Sequence, residues 1–114
     1  MDDSKIKAQD VLEEASTIIT GKRQETHGDK LVNHINIGRL WSAYLTNRFG
    51  KELFIRADMV ADLFELAKVA RRQAGDYNRD DYVDGAGYAA ISCELRQVIE
   101  EPKPTGGHND KPRH

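Results

Sequence analysis

Four times along this chain apolar residues recur three and four positions apart, and nowhere do they alternate with polar ones for long enough to argue for a strand. A period near 3.6 gathers such residues on one stripe of a helix, so the chain must bury helical stripes against one another. The first stripe is Ala8, Val11, Leu12, Ala15, Ile18 and Ile19, in a helix expected over residues 2–20 and stopped by Gly21. The second is Leu31, Ile35, Gly38, Trp41 and Leu45, flanked by Ile37 and Tyr44 and ending near Phe49-Gly50. A third helix is expected from near Arg56 to Asp58 as far as about Ala74, with Val60, Leu63, Phe64, Ala67 and Ala70 facing the core before Gly75. A fourth, from about Asp80 to Glu100, holds Gly85 and Gly87 in its interior. Each costs about 1 kcal/mol relative to Ala, which points to close packing or function. The fold class is therefore all-α, a four-helix bundle.

A chain of 114 residues suits one domain, expected over 1–100. The remainder, EPKPTGGHNDKPRH (101–114), holds all three prolines and no large apolar residue, and is expected to be a flexible tail. A net charge of -2 provides no field for a nucleic acid polymer or an anionic membrane. The start MDDSKIKAQD is polar and the apolar runs are short, so neither a leader nor a membrane span is expected. The single Cys93 cannot close an internal disulfide, consistent with a reducing cytosol.

On helix three, Asp58, Asp62 and Glu65 are spaced i, i+4, i+7 and project from one face, continued by Lys68 and Arg72. That face lies roughly opposite the apolar stripe. Read blandly it is a solvated surface, with Asp58 as N-cap and Glu65 paired to Lys68 or Arg72. Helix four is harder to read that way. Asp81 and Asp84 share a stripe with Tyr88, Ile91 and Leu95 and should point toward protein. Capping accounts for Asp81 but not for Asp84, one turn further in. Buried acids that repel one another must be protonated, paired or bound to metal, and oxygen donors alone suit a hard cation such as Mg²⁺ or Mn²⁺.

Asp62-x-x-Glu65, fifteen residues, then Asp81-x-x-Asp84 resembles the paired acidic motifs of the MazG-like, all-α nucleoside triphosphate pyrophosphohydrolases. The stretches HGDKLVNHINIGRLWSAYL and ADMVADLFELAKVARRQAGDYNRDDYVDGAGYAA resemble small phage and prophage proteins of that superfamily, over roughly residues 22–95. The usual family pattern is ExxE followed by ExxD, whereas three of the four positions here are Asp. The shorter side chain would bring a metal closer to the helix axes or require Asp58 to complete its shell.

The resemblance implies a Mg²⁺- or Mn²⁺-dependent enzyme that converts (deoxy)nucleoside triphosphates to monophosphates and pyrophosphate. Asp62, Glu65, Asp81 and Asp84 would be metal ligands, and Glu65 and Asp84 catalytic, activating a water that attacks the α-phosphorus. Asn33, Lys68, Arg72 and Tyr88 would contact substrate, with Arg71 nearby and the His27-Gly28-Asp29 loop as a further contact. The alternative is a non-catalytic helical module that binds nucleotide or protein, and a third reading is a purely structural helical oligomer. A homodimer or homotetramer is expected, because acids on the outer side of helix three cannot enclose a nucleotide. The thin side of helix four (Gly85, Ala86, Gly87, Ala89, Ala90, Cys93) also invites a second subunit.

Three residues are expected to be structural. Asp29 should cap helix two, His34 should be a hydrogen-bonded core histidine, and Trp41 should be core.

Overall fold

The computed structural model describes residues 5–20 and 29–99. These hold four α-helices and, among the described residues, no strand: α1 (Ala8–Thr20), α2 (Lys30–Phe49), α3 (Ala57–Ala74) and α4 (Arg79–Ile99). The readings made for residues 1–4, the His27-Gly28 loop, Glu100 and the tail 101–114 lie outside the described residues.

Helix boundaries follow local chemistry. α1 starts at Ala8, later than expected, after Asp10 folds back so that its carboxylate accepts the Lys7 N–H at 3.0 Å. Asp29 caps α2 as expected, accepting the Leu31 N–H at 2.9 Å. The same helix ends on Gly50 in the left-handed region (φ 73), with its N–H bonded to the Thr46 carbonyl. Asp58 is not the N-cap of α3. Arg56 holds that position, and Asp58 sits buried in the first turn.

Among the described residues α1 packs on α4, α4 on α3 and α3 on α2, with no other pair of helices in more than marginal contact. One ion pair, Lys30–Glu94 at 3.5 Å, reaches from α2 to α4. The buried apolar residues are mostly small: Ala15, Ala57, Val60, Ala61, Val83 and Leu95. Between α2 and α3, residues 51–56 run back along α2 as a strap. Ser42 Oγ accepts the Ile55 N–H at 2.8 Å, and Thr46 Oγ1 accepts the Leu53 N–H at 3.0 Å. The strap lies so close to Gly38 that a Cβ there would stand 2.6 Å from the Ile55 carbonyl oxygen.

The orientation of α3 corrects the sequence reading. Val60 is buried and Phe64 half-buried, but Leu63, Ala67 and Ala70 are exposed, while Asp58 is buried and Glu65 and Lys68 are half-buried. α3 has neighbours on two adjacent sides. Val60 and Phe64 meet α2, and the charged face meets α4, which leaves most of the apolar stripe outward. Asp58 and Glu65 are thus on the inner side of α3, not its outer one, while Asp62 stays exposed at the edge.

Candidate functional site

α3 and α4 run antiparallel, and polar side chains fill the seam between them. Near the turn that joins the helices, Arg71 Nε donates to Asp81 Oδ1 at 2.8 Å. Three residues further along α4 and three back along α3, Lys68 Nζ pairs with Asp84 Oδ2 at 3.2 Å. Further still, Ser92 Oγ donates to Asp62 Oδ1 at 2.6 Å and lies 3.4 Å from the Asp58 carbonyl oxygen. Asp81 is 3% exposed, so its carboxylate is desolvated, whereas 60% of the Arg71 side chain remains in solvent. Lys68 and Asp84 are each about a quarter exposed.

Glu65 falls in this row between Asp62 and Lys68. It is half-buried and has no hydrogen bond or ion pair with the described residues. Gly85 lets α4 approach closely, since a Cβ on it would lie 3.8 Å from Lys68 Cβ, an ordinary contact. At the open end of the seam a cleft of about 480 Å³ is lined by Arg71, Gly75, Asp76, Tyr77, Asn78 and Asp81. The Arg72 guanidinium stacks over the Tyr82 ring, 4.6 Å from its centroid, instead of reaching an acid.

An aromatic corner adjoins the seam. Phe64 lies between Tyr88 of α4, with centroids 5.2 Å apart, and Trp41 of α2, at 5.5 Å, and the His34 ring approaches it edge-on at 6.3 Å. His34 is buried, as expected, and its Nδ1 lies 2.7 Å from the Lys30 carbonyl oxygen. A carbonyl only accepts, so Nδ1 carries the proton, and in the neutral ring Nε2 presents a lone pair. That Nε2 is buried without a hydrogen-bond partner among the described residues.

Asp58 is held apart from this row of acids by its own cation. Arg56 donates through Nε at 2.9 Å and through Nη2 at 3.0 Å to the two carboxylate oxygens. These hydrogen bonds, with the guanidinium charge, outweigh burial and hold the Asp58 carboxyl below its ordinary range.

Of the residues singled out from the sequence, the structure brings Asp84 to Lys68 and places Glu65 and Tyr88 in or beside the seam. Asp62 stands at its far end on Ser92, and Arg72 has turned to Tyr82. Asn33 is exposed on the first turn of α2. The donors are all carboxylate oxygens, the chemistry that suits a hard cation. Among the described residues, however, no three His, Cys, Asp or Glu side chains stand close enough to share one. Sequence reasoning missed Ser92, the pairing of Arg71 with Asp81, and Phe64 as the hub of the aromatic corner. Ser92 could have been found, since it continues the Asp81, Asp84, Tyr88 stripe by one more turn.

No helix among the described residues is long and apolar enough to cross a membrane. The profile of a family described as a domain of unknown function, DUF6378, matches residues 10–96. The Gene 55 protein of Mycobacterium phage L5 is 38% identical over 96 residues, covering 84% of this chain and 58% of its own length. The Gene 55 protein of Mycobacterium phage D29 is 36% identical over 96 residues, covering 83% and 57%. The chain thus spans a little over half the length of these phage relatives. No solved structure matches.

Proposed function

Because the chain belongs to the DUF6378 family, whose description assigns no activity, we infer that the α3/α4 seam is where its chemistry lies. We propose that it takes (deoxy)nucleoside triphosphates there and hydrolyses them to monophosphates and pyrophosphate with Mg²⁺ or Mn²⁺. The observation that carries this reading is the α3/α4 seam, which buries Asp81 and half-buries Glu65, Lys68 and Asp84, with Asp62 exposed at its end. A solvated charged face requires no explanation, whereas drawing carboxylates into a helix–helix seam incurs desolvation, and such clusters are enriched at functional sites.

In this proposal the carboxylates of the seam would hold the cation, which when bound would supply Lewis-acid polarisation of a phosphate oxygen. Asp62 and Asp81 stand at the seam's opposite ends, on Ser92 and Arg71, so these two would not share one ion, and Glu65 and Asp84 lie between them. Lys68 and Arg71, now on Asp84 and Asp81, are placed to take up phosphate oxygens, with the cleft beside Arg71 giving access. Glu65, the half-buried acid without a partner, is the group available to accept a proton from an attacking water. Tyr88, Phe64 and Trp41 offer ring faces to a base, and the buried His34 Nε2 lone pair can accept an N–H from its edge. Asn33 and Arg72 are further contacts for sugar and phosphate. The phage relatives suit an enzyme that adjusts nucleotide supply in the cytosol of an infected host.

One observation favours a second reading. Asp81 and Asp84 are already neutralised by Arg71 and Lys68, and no three described acids are gathered, as expected of a module that binds nucleotide or protein without turnover. The two separate in one experiment: canonical and modified dNTPs and NTPs incubated with and without Mg²⁺ or Mn²⁺, with pyrophosphate and phosphate release resolved. Monophosphate plus pyrophosphate, lost in EDTA and in Glu65→Ala with far-UV circular dichroism unchanged, supports the hydrolase. No product but a nucleotide-induced rise in Tm supports the binding module, and the absence of both responses would rule out a nucleotide site at the seam.

A further inference from the structure

The acids that α4 contributes to the seam are charge-compensated before any ligand arrives. Asp84 is paired with Lys68 at 3.2 Å and Asp81 with Arg71 at 2.8 Å. A divalent cation approaching either carboxylate meets a fixed positive charge beside it, and no three described carboxylates are gathered to outweigh that charge. The ligand-free arrangement therefore does not fit a lone cation, although its donors are the carboxylate oxygens that a hard cation prefers. A lone triphosphate meets the converse difficulty. Drawing Lys68 and Arg71 away to its oxygens would leave Asp84, half-buried, and Asp81, 3% exposed, as uncompensated carboxylates beside a polyanion.

Taken together the two exchanges offset one another, and the basic residues are the partners free to move. Arg71 is joined to Asp81 through Nε, keeps 60% of its side chain in solvent and lines the cleft into which it would turn. Among the described residues only Oδ1 of Asp81 is engaged, and Asp81 lines the same cleft. Lys68, about one turn earlier on α3, carries its charge on a flexible four-carbon stem and is about a quarter exposed. The acids, by contrast, sit on a helix that is held close, with Gly85 against Lys68 Cβ.

We infer that the seam takes up cation and anion only together: Lys68 and Arg71 leave Asp84 and Asp81 for the phosphates of an incoming nucleotide, and the vacated carboxylates receive the divalent cation that accompanies it. This rests on the nucleotide reading of the seam and adds to it a latch of two ion pairs that keeps free divalent cations out. The coupling is reciprocal, so each ligand raises the affinity for the other by the same factor.

Equilibrium dialysis of the full chain tests it, with Mn²⁺ as the cation and α,β-imido deoxynucleoside triphosphates, which resist cleavage between the α- and β-phosphates, as the anion. The native protein is expected to retain the two together at least about tenfold more tightly than Mn²⁺ alone or nucleotide alone in EDTA. Lys68→Met keeps the length of the stem and removes its charge. It is expected to bind Mn²⁺ alone at least about tenfold more tightly than the native protein, a gain that a merely structural ion pair would not produce. Should Lys68→Met fail to fold by circular dichroism, Lys68→Gln gives the same readout. Native protein that binds Mn²⁺ alone as tightly as with nucleotide, or a folded Lys68 variant without the gain, would overturn the inference and leave the hydrolase reading standing. No retention of nucleotide in any arm would remove the nucleotide reading itself, and this inference with it.

Discussion

Gly38→Ala tests whether the strap over α2 is as close as its geometry requires. The new Cβ would stand 2.6 Å from the Ile55 carbonyl oxygen, where ordinary contact begins near 3.4 Å, so the strap has to retreat by roughly 0.8 Å. The obstacle is backbone, not a side chain that can rotate away. The retreat stretches the 2.8 Å bond from the Ile55 N–H to Ser42 Oγ, whose loss costs about 1 kcal/mol, and crowding of this kind typically costs about 1–3 kcal/mol. Against this, Ala gains about 1 kcal/mol over Gly in a helix interior. We predict a net loss of about 1–3 kcal/mol, which at about 4–8 °C per kcal/mol for a domain of this size is a large fall in Tm. Thermal unfolding followed by far-UV circular dichroism measures it. An unchanged or higher Tm would mean that the strap yields freely, and the reasoning that it pins α2, and with it His34 and Trp41, against α3 would fail.

Three further outcomes are expected. Arg71→Ala strands the buried Asp81 carboxylate and should cost about 1–3 kcal/mol, below the full buried-pair figure because Arg71 is largely in solvent. Adding Asp81→Asn should recover part of that loss, and urea unfolding of the single and double variants would show it. The Asp58 carboxyl is held below its ordinary value of 3.8, so its stabilisation is fully present above that pH and is lost as pH falls through the lower folded value. The stability gap between native protein and Arg56→Met should therefore be wider at pH 7 than near pH 2, as urea midpoints at the two pH values would reveal. Trp41 is the one tryptophan of the chain and packs on Phe64, so nucleotide entering the aromatic corner should change its fluorescence, and the change should disappear in Tyr88→Ala.

Helix number and most bounds were legible because periodicity, Asp29 and Gly50 are local signals, and only the start of α1, at Ala8 instead of residue 2, departs by more than a few residues. The inward Asp81 and Asp84 were legible for the same reason, since they share a stripe with Tyr88 and Leu95. Which face of α3 turns inward was not. Its apolar stripe and its charged stripe are each continuous, and the choice depends on Lys68 and Arg71 finding Asp84 and Asp81 across an antiparallel seam. Such pairings depend on register between helices, which spacing within one helix does not encode. Asp58 misled for a related reason: a first-turn acid reads as a cap, and its capture by Arg56 two residues earlier is a tertiary preference.

The two faces of α3 also bear on each other. A helix that buries charge on one side and leaves leucines exposed on the other is stable in isolation only if the charged seam is well paired, and pairing is what Arg71–Asp81, Lys68–Asp84 and Ser92–Asp62 provide. Glu65 is the member of that row without a partner among the described residues, and it follows Phe64, which with Tyr88 begins the aromatic corner. If the row existed only to join helices, replacing Glu65 by Gln would be neutral or mildly stabilising, since it removes a half-buried unpaired charge. We predict that Glu65→Gln raises Tm slightly while abolishing turnover of nucleoside triphosphates. A gain in stability bought at the cost of activity is the signature of a carboxylate retained for chemistry, and a variant that keeps full turnover would leave Glu65 with no role in it.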